Sequence, residues 1–97
     1  MTGTTRAVAS SVLPGADLID RGLTDLAVGI ESVAALLVAI GAPRLRQLGV
    51  DVPQGPERPE HRLYALLGRD DPDAAHSRYN ALIRRLVSFE RALACAR

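Results

Sequence analysis

Residues 33–40 read VAALLVAI, eight consecutive residues without a polar side chain. In a helix, eight consecutive residues at about 100° each point in every direction around the axis. A single neighbouring helix covers only one side of such a segment. The fold must therefore surround these residues, and this requirement constrains the architecture more than any other feature.

Apolar residues recur with helical spacing in two parts of the chain, and each part predicts a long helix with a three-heptad apolar seam. The seams are Ile19, Leu23, Leu26, Ile30, Val33, Leu37 and Ile40, and then Ala75, Tyr79, Leu82, Leu86, Phe89, Leu93 and Ala96. We expect Asp17 to cap the first helix and Gly41 to end it, since Pro43 cannot donate the next hydrogen bond. We expect Asp71-Pro72 to start the last helix.

The segment between the two long helices predicts smaller elements. Residues 43–48 can form one or two further turns that end at Gly49. Residues 50–58 contain two prolines and a glycine and predict a loop. Pro59 suits the first position of a short helix that ends at Gly68.

Ninety-seven residues suffice for one domain and not for two. We expect residues 1–16 to form a flexible or short-helical arm and residues 17–97 a single helical domain. The predicted fold is all-α, a bundle of two long antiparallel helices plus two short connecting helices. Its core must be aliphatic, because only three residues of the chain are aromatic.

Two helices alone would leave much of each apolar face in water, which favours a homodimer with a four-helix core. Gly22 and Gly29, beside the seam, would let helix backbones approach closely. The alternative is a monomeric bundle in which the short helices cover the apolar stripe. The predicted dimer core consists of Val33, Leu36, Leu37 and Ile40.

Charge and cysteine usage limit the possible classes of protein. The net charge of +1 provides no global attraction to nucleic acid or to an anionic membrane. All twelve basic residues are Arg, a bias typical of a GC-rich bacterial genome. A single Cys rules out an intramolecular disulfide, and the apolar segment Leu26–Ile40 is shorter than the ~20 residues of a membrane span. We expect a cytoplasmic protein without a signal peptide.

Arginines of the last helix form the candidate interaction surface, because guanidinium groups bind phosphates and carboxylates. This surface consists of Arg78, Arg84, Arg85 and Arg91. The alternative is a solvated helix face, with Arg85 paired to Asp20, Asp25 or Glu31 of the first helix.

Catalytic, metal and cofactor sites are not expected. Asp73 and His76 have the spacing of a ligand pair on one helix face, but a helical di-metal site needs further inward carboxylates. No His lies near Cys95 in the sequence. A helix-turn-helix is possible around Gly68, but three carboxylates at the start of its second helix would repel DNA.

The leading interpretation is a non-enzymatic helical module for protein interaction or oligomerisation. One alternative is a nucleic-acid-binding protein that uses the arginine face. Another is a small enzyme or ligand-binding protein with its site at a dimer interface.

Overall fold

The computed structural model describes residues 13–96, which form four helices and no strand. The helices are α1, Ala16–Ala27; α2, Val33–Gln47; α3, Pro59–Asp70; and α4, Ala75–Ala96. The predicted all-helical fold is confirmed for this part of the chain. Most of the predicted arm, residues 1–12, lies outside the described residues.

The prediction of one long helix along the first seam is wrong, because the chain turns between α1 and α2. The amide of Ile30 donates to the carbonyl of Asp25 at 2.8 Å, and the amide of Gly29 donates to that of Leu26 at 3.1 Å. These two bonds, with Gly29 at φ 79°, form a Schellman motif, which satisfies the last carbonyls of a helix. A glycine adopts this left-handed conformation without steric cost.

Ser32 starts α2 and ties it back to α1. Its hydroxyl oxygen accepts a hydrogen bond from the amide of Ala35 at 3.1 Å and donates one to the carboxylate of Asp25 at 2.6 Å. The predicted cap of α1 is wrong: Gly15 occupies the cap position without a side-chain bond, and Asp17 lies in the first turn. A carboxylate in that turn still favours the helix through its dipole.

Helix α2 continues through Gly41 and Pro43, so the stop predicted there is also wrong. Pro43 removes one helical hydrogen bond, but Leu45 beyond it is completely buried, and its burial offsets that loss. The helix ends as predicted at Gly49, where the amide of Val50 donates to the carbonyl of Leu45 at 2.9 Å in a second Schellman motif.

Helix α2 lies at the centre of the fold and packs against α1, α3 and α4. Residues 34–38 are at most 4% exposed within the single chain. The argument for a dimer therefore fails, because the three other helices already surround the apolar run. Leu36 and Leu37 have no exposed surface from which to build the predicted dimer core, and Val33 and Ile40 are half-buried. Self-association itself stays a prediction.

The contacts between α1 and α2 show the relative direction of the two helices. Asp25 meets Ser32 close to the turn, and Gly22 faces Ala34 and Val38 further from it. The two helices are therefore antiparallel, and the glycine allows them to touch backbone to backbone.

The second half of the chain follows the sequence prediction closely. Helix α3 begins at Pro59 as predicted, but the predicted end at Gly68 is wrong, because the helix continues to Asp70. The Asp71 carboxylate then accepts bonds from the amides of Asp73 at 3.2 Å and Ala74 at 3.3 Å, and α4 starts directly afterwards. Leu86 and Phe89 of the predicted seam are buried.

Candidate functional site

Two large apolar side chains point into solvent at the turn between α1 and α2. Val28 is 66% exposed and Ile30 is 53% exposed. Ile30 also lines a pocket of about 220 Å³, together with the apolar Leu26 and Pro56 and the polar Gln54. We call the two exposed side chains and this pocket the turn patch.

The turn itself explains why Ile30 is exposed. In a Schellman motif the residue after the glycine usually packs on an apolar residue five or six positions earlier. Those positions here hold Asp25 and Thr24. Ile30 consequently has no apolar partner on its own helix, although it occupies a seam position in the sequence.

An ion pair forms the rim of the turn patch. Arg62 of α3 lies 3.2 Å from the Glu31 carboxylate, with the two side chains 46% and 44% exposed. The same guanidinium donates to the carbonyl of Glu57 at 2.8 Å. The sequence predicted an ion pair between Arg85 and an acid of the first helix. Glu31 does not form this pair, because its partner is Arg62.

The four arginines of the predicted interaction surface are all exposed on α4. Arg78 pairs with Asp70 at 2.6 Å, so an internal carboxylate already satisfies it. Arg84, Arg85 and Arg91 make no ion pair or hydrogen bond through their guanidinium groups to any residue in the range 13–96.

An arginine of α1 lies near the three arginines of α4 that form no ion pair. Arg21 of α1 and Arg85 of α4 line one cleft of about 280 Å³, together with Asp17 and Leu18. Sequence reasoning missed Arg21, because only tertiary packing brings α1 beside α4. We call Arg21, Arg84, Arg85 and Arg91 the basic surface.

Groups that could carry chemistry lie apart from one another. His76 hydrogen-bonds with the Asn80 amide at 3.2 Å. Cys95 is exposed at the far end of the same helix, about 28 Å along its axis. No cluster of three or more His, Cys, Asp or Glu side chains suited to a metal ion occurs among residues 13–96.

Two titratable groups are perturbed by packing. Burial raises the pKa of Glu90 above its ordinary value, and the Arg44 guanidinium partly opposes this. Burial also raises the pKa of Tyr79, with a smaller contribution from the Glu60 carboxylate. The Tyr79 ring packs edge-on against Tyr64, with centroids 5.8 Å apart, so both tyrosines have a structural explanation.

No protein-family model, curated protein or solved structure matches this chain. None of the described helices combines the length and the apolar character needed to cross a bilayer.

Proposed function

We propose that the chain is a non-enzymatic helical interaction module that binds protein through the turn patch, and that the patch fits a second copy of the chain. The observation that carries this proposal is the exposure of Val28 and Ile30 at the turn, where Ile30 also lines a pocket with apolar side chains in its wall. No other large apolar side chain in residues 13–96 is as exposed, and Tyr64 comes next at 46%. Exposed apolar side chains grouped beside a groove mark interaction sites.

The turn patch would supply both halves of a self-complementary contact. A two-fold axis places the same surface of each copy against the other, so a protrusion and a pocket on one face can exchange. Val28 of one copy would enter the pocket of its partner, and the reverse. Glu31 and Arg62 at the rim carry opposite charges and can pair across the same axis.

The small size of the turn patch sets the expected strength. Interfaces that bury less than about 1,200 Å² in total belong to weak or transient complexes. We therefore expect a concentration-dependent dimer of folded monomers. This differs from the four-helix core inferred from the sequence, in which neither copy would be complete alone.

Sedimentation equilibrium tests the proposal. The average mass is expected to rise with concentration from 10.3 kDa towards twice that value. The double variant Val28→Ser, Ile30→Ser should stay at the mass of one chain. Tyr64→Ser, which removes exposed apolar surface elsewhere, should behave like the wild type.

A mass of 10.3 kDa at all concentrations up to about 1 mM would contradict self-association through the patch. A dimer that persists unchanged in the serine double variant would place the interface elsewhere.

A further inference from the structure

The exposed side of α4 is basic and carries no compensating acid. Glu90 is the one carboxylate within Ala75–Ala96, and it faces α2, with an oxygen 3.0 Å from where a side chain at Gly41 would begin. Arg84 and Arg91 are seven residues apart, which places them on one line along the helix, about 10.5 Å from each other. The outward side of the helix therefore presents two aligned guanidinium groups.

Helix α1 widens this surface. The start of α1 packs against α4 at Gly15, whose missing side chain would begin 3.4 Å from the carbonyl oxygen of Arg85. This packing brings Arg21 to the cleft that Arg85 also lines. The half-buried Leu18 gives the cleft an apolar wall, and Asp17 is the only acid lining it.

We propose that the basic surface binds an acidic amphipathic helix of a partner protein. Carboxylates seven residues apart on that helix would face Arg84 and Arg91, and an apolar side chain between them and α1 would enter the cleft at Leu18. Helices that lay an apolar stripe into a groove, with charges at its edge, are a recurrent mode of recognition. None of these arginines belongs to the turn patch, so this proposal and the proposed function can fail separately.

The chemistry of the surface favours a protein over nucleic acid. Arginine binds a carboxylate through two parallel hydrogen bonds, which suits discrete and spaced acids. Sequence-independent binding of single strands uses aromatic side chains for base stacking, but Tyr79 and Phe89 of α4 pack inward.

Fluorescence anisotropy tests the proposal with the full chain and a labelled synthetic helix, which has leucines along one stripe and glutamates at heptad spacing beside it. Binding is expected at about 50 mM salt and should weaken as salt rises, because exposed charge pairs are screened. The same peptide with Gln for Glu should not bind. Arg84→Glu combined with Arg91→Glu should weaken binding at least about tenfold.

A matched control separates this surface from net charge. Arg58→Glu combined with Arg69→Glu changes the charge equally on or beside α3 and should alter affinity by less than about twofold. Because all four positions are exposed, circular dichroism should show folded variants. As a second measurement, peptide titration of the wild type should shift NMR amide signals on α4 and the outer side of α1.

Three results would overturn the proposal. They are absence of peptide binding at low salt, equal losses in the two double variants, or amide shifts confined to other helices. Tighter binding of a DNA duplex than of the acidic peptide would assign the surface to nucleic acid instead.

Discussion

Replacing Gly22 with Ala is expected to destabilise the protein, even though Ala forms helices better than Gly. Gly22 lies where α1 meets α2, and an added methyl group would overlap the carbonyl oxygen of Ala34 and a methyl group of Val38. It would also lie 2.8 Å from the carbonyl carbon of Ala34. Because backbone atoms cannot rotate away, α1 and α2 would have to separate.

The magnitude follows from two opposing contributions. Ala is favoured over Gly inside a helix by about 1 kcal/mol. Overpacking a tight contact costs about 1–3 kcal/mol, and more where the obstacle is rigid. With a backbone obstacle the cost lies at or above the upper end, so we expect a net loss of about 2 kcal/mol. For a domain of this size that lowers the melting temperature by about 8–16 °C.

Gly68→Ala is the matched control. Gly68 also lies inside a helix, α3, but no atom lies within 4 Å of where its side chain would begin. This substitution should raise the free energy of unfolding by up to about 1 kcal/mol. Urea unfolding followed by circular dichroism measures both variants. Equal stabilisation by the two substitutions would refute the close approach of α1 and α2 at Gly22.

Three further predictions concern single side chains. Ser32→Ala removes the cap of α2 and should cost about 1 kcal/mol by urea unfolding, whereas Ser88→Ala on the exposed side of α4 should stay within about 0.5 kcal/mol. Leu37→Ala should cost about 2–5 kcal/mol at every protein concentration, because Leu37 is buried within one chain and lines no part of the turn patch; a cost that changes on dilution would place it at an interface. The raised pKa of Glu90 means that the folded state holds this proton more tightly, so its stabilising contribution is present below the ordinary value of 4.5 and is lost as pH rises through the folded pKa. The advantage of Glu90→Gln over the wild type should therefore be larger at about pH 7 than at about pH 3.5, and a constant difference in unfolding midpoints would contradict this.

The second half of the fold could be predicted because its signals are local. Asp71 followed by Pro72 marks a helix start through chemistry that needs no distant residue. The seam through Leu86 and Phe89 repeats without interruption over one real helix. Patterns of this kind predict a helix correctly when no residue between its ends interrupts the helical conformation.

The first half of the fold could not be predicted from periodicity, because periodicity alone does not show whether a helix is continuous. The apolar spacing passes through the turn without a change of phase, so it predicts one long helix. Two local signals contradicted it: Gly29 as a helix end and Ser32 as a cap three residues later. Together, these two signals predict two helices in place of one, and a separate α2 can then lie at the centre of the fold.

The same turn explains why the turn patch could not be located from the sequence, and why Arg21 was missing from the predicted arginine surface. In a continuous helix Ile30 would belong to the buried seam. In the structure Ile30 follows Gly29 at the turn, where the positions that could hold an apolar partner are occupied by Asp25 and Thr24. Ile30 is therefore exposed to solvent. Because the helix is divided, α1 packs back onto α2 and covers part of the apolar run. This packing also places Arg21 of α1 near α4. A continuous helix would have left the run bare and required a second copy to cover it. The conformation of one glycine thus decides whether self-association is needed for folding or, as we propose, is a separate property of the exposed turn.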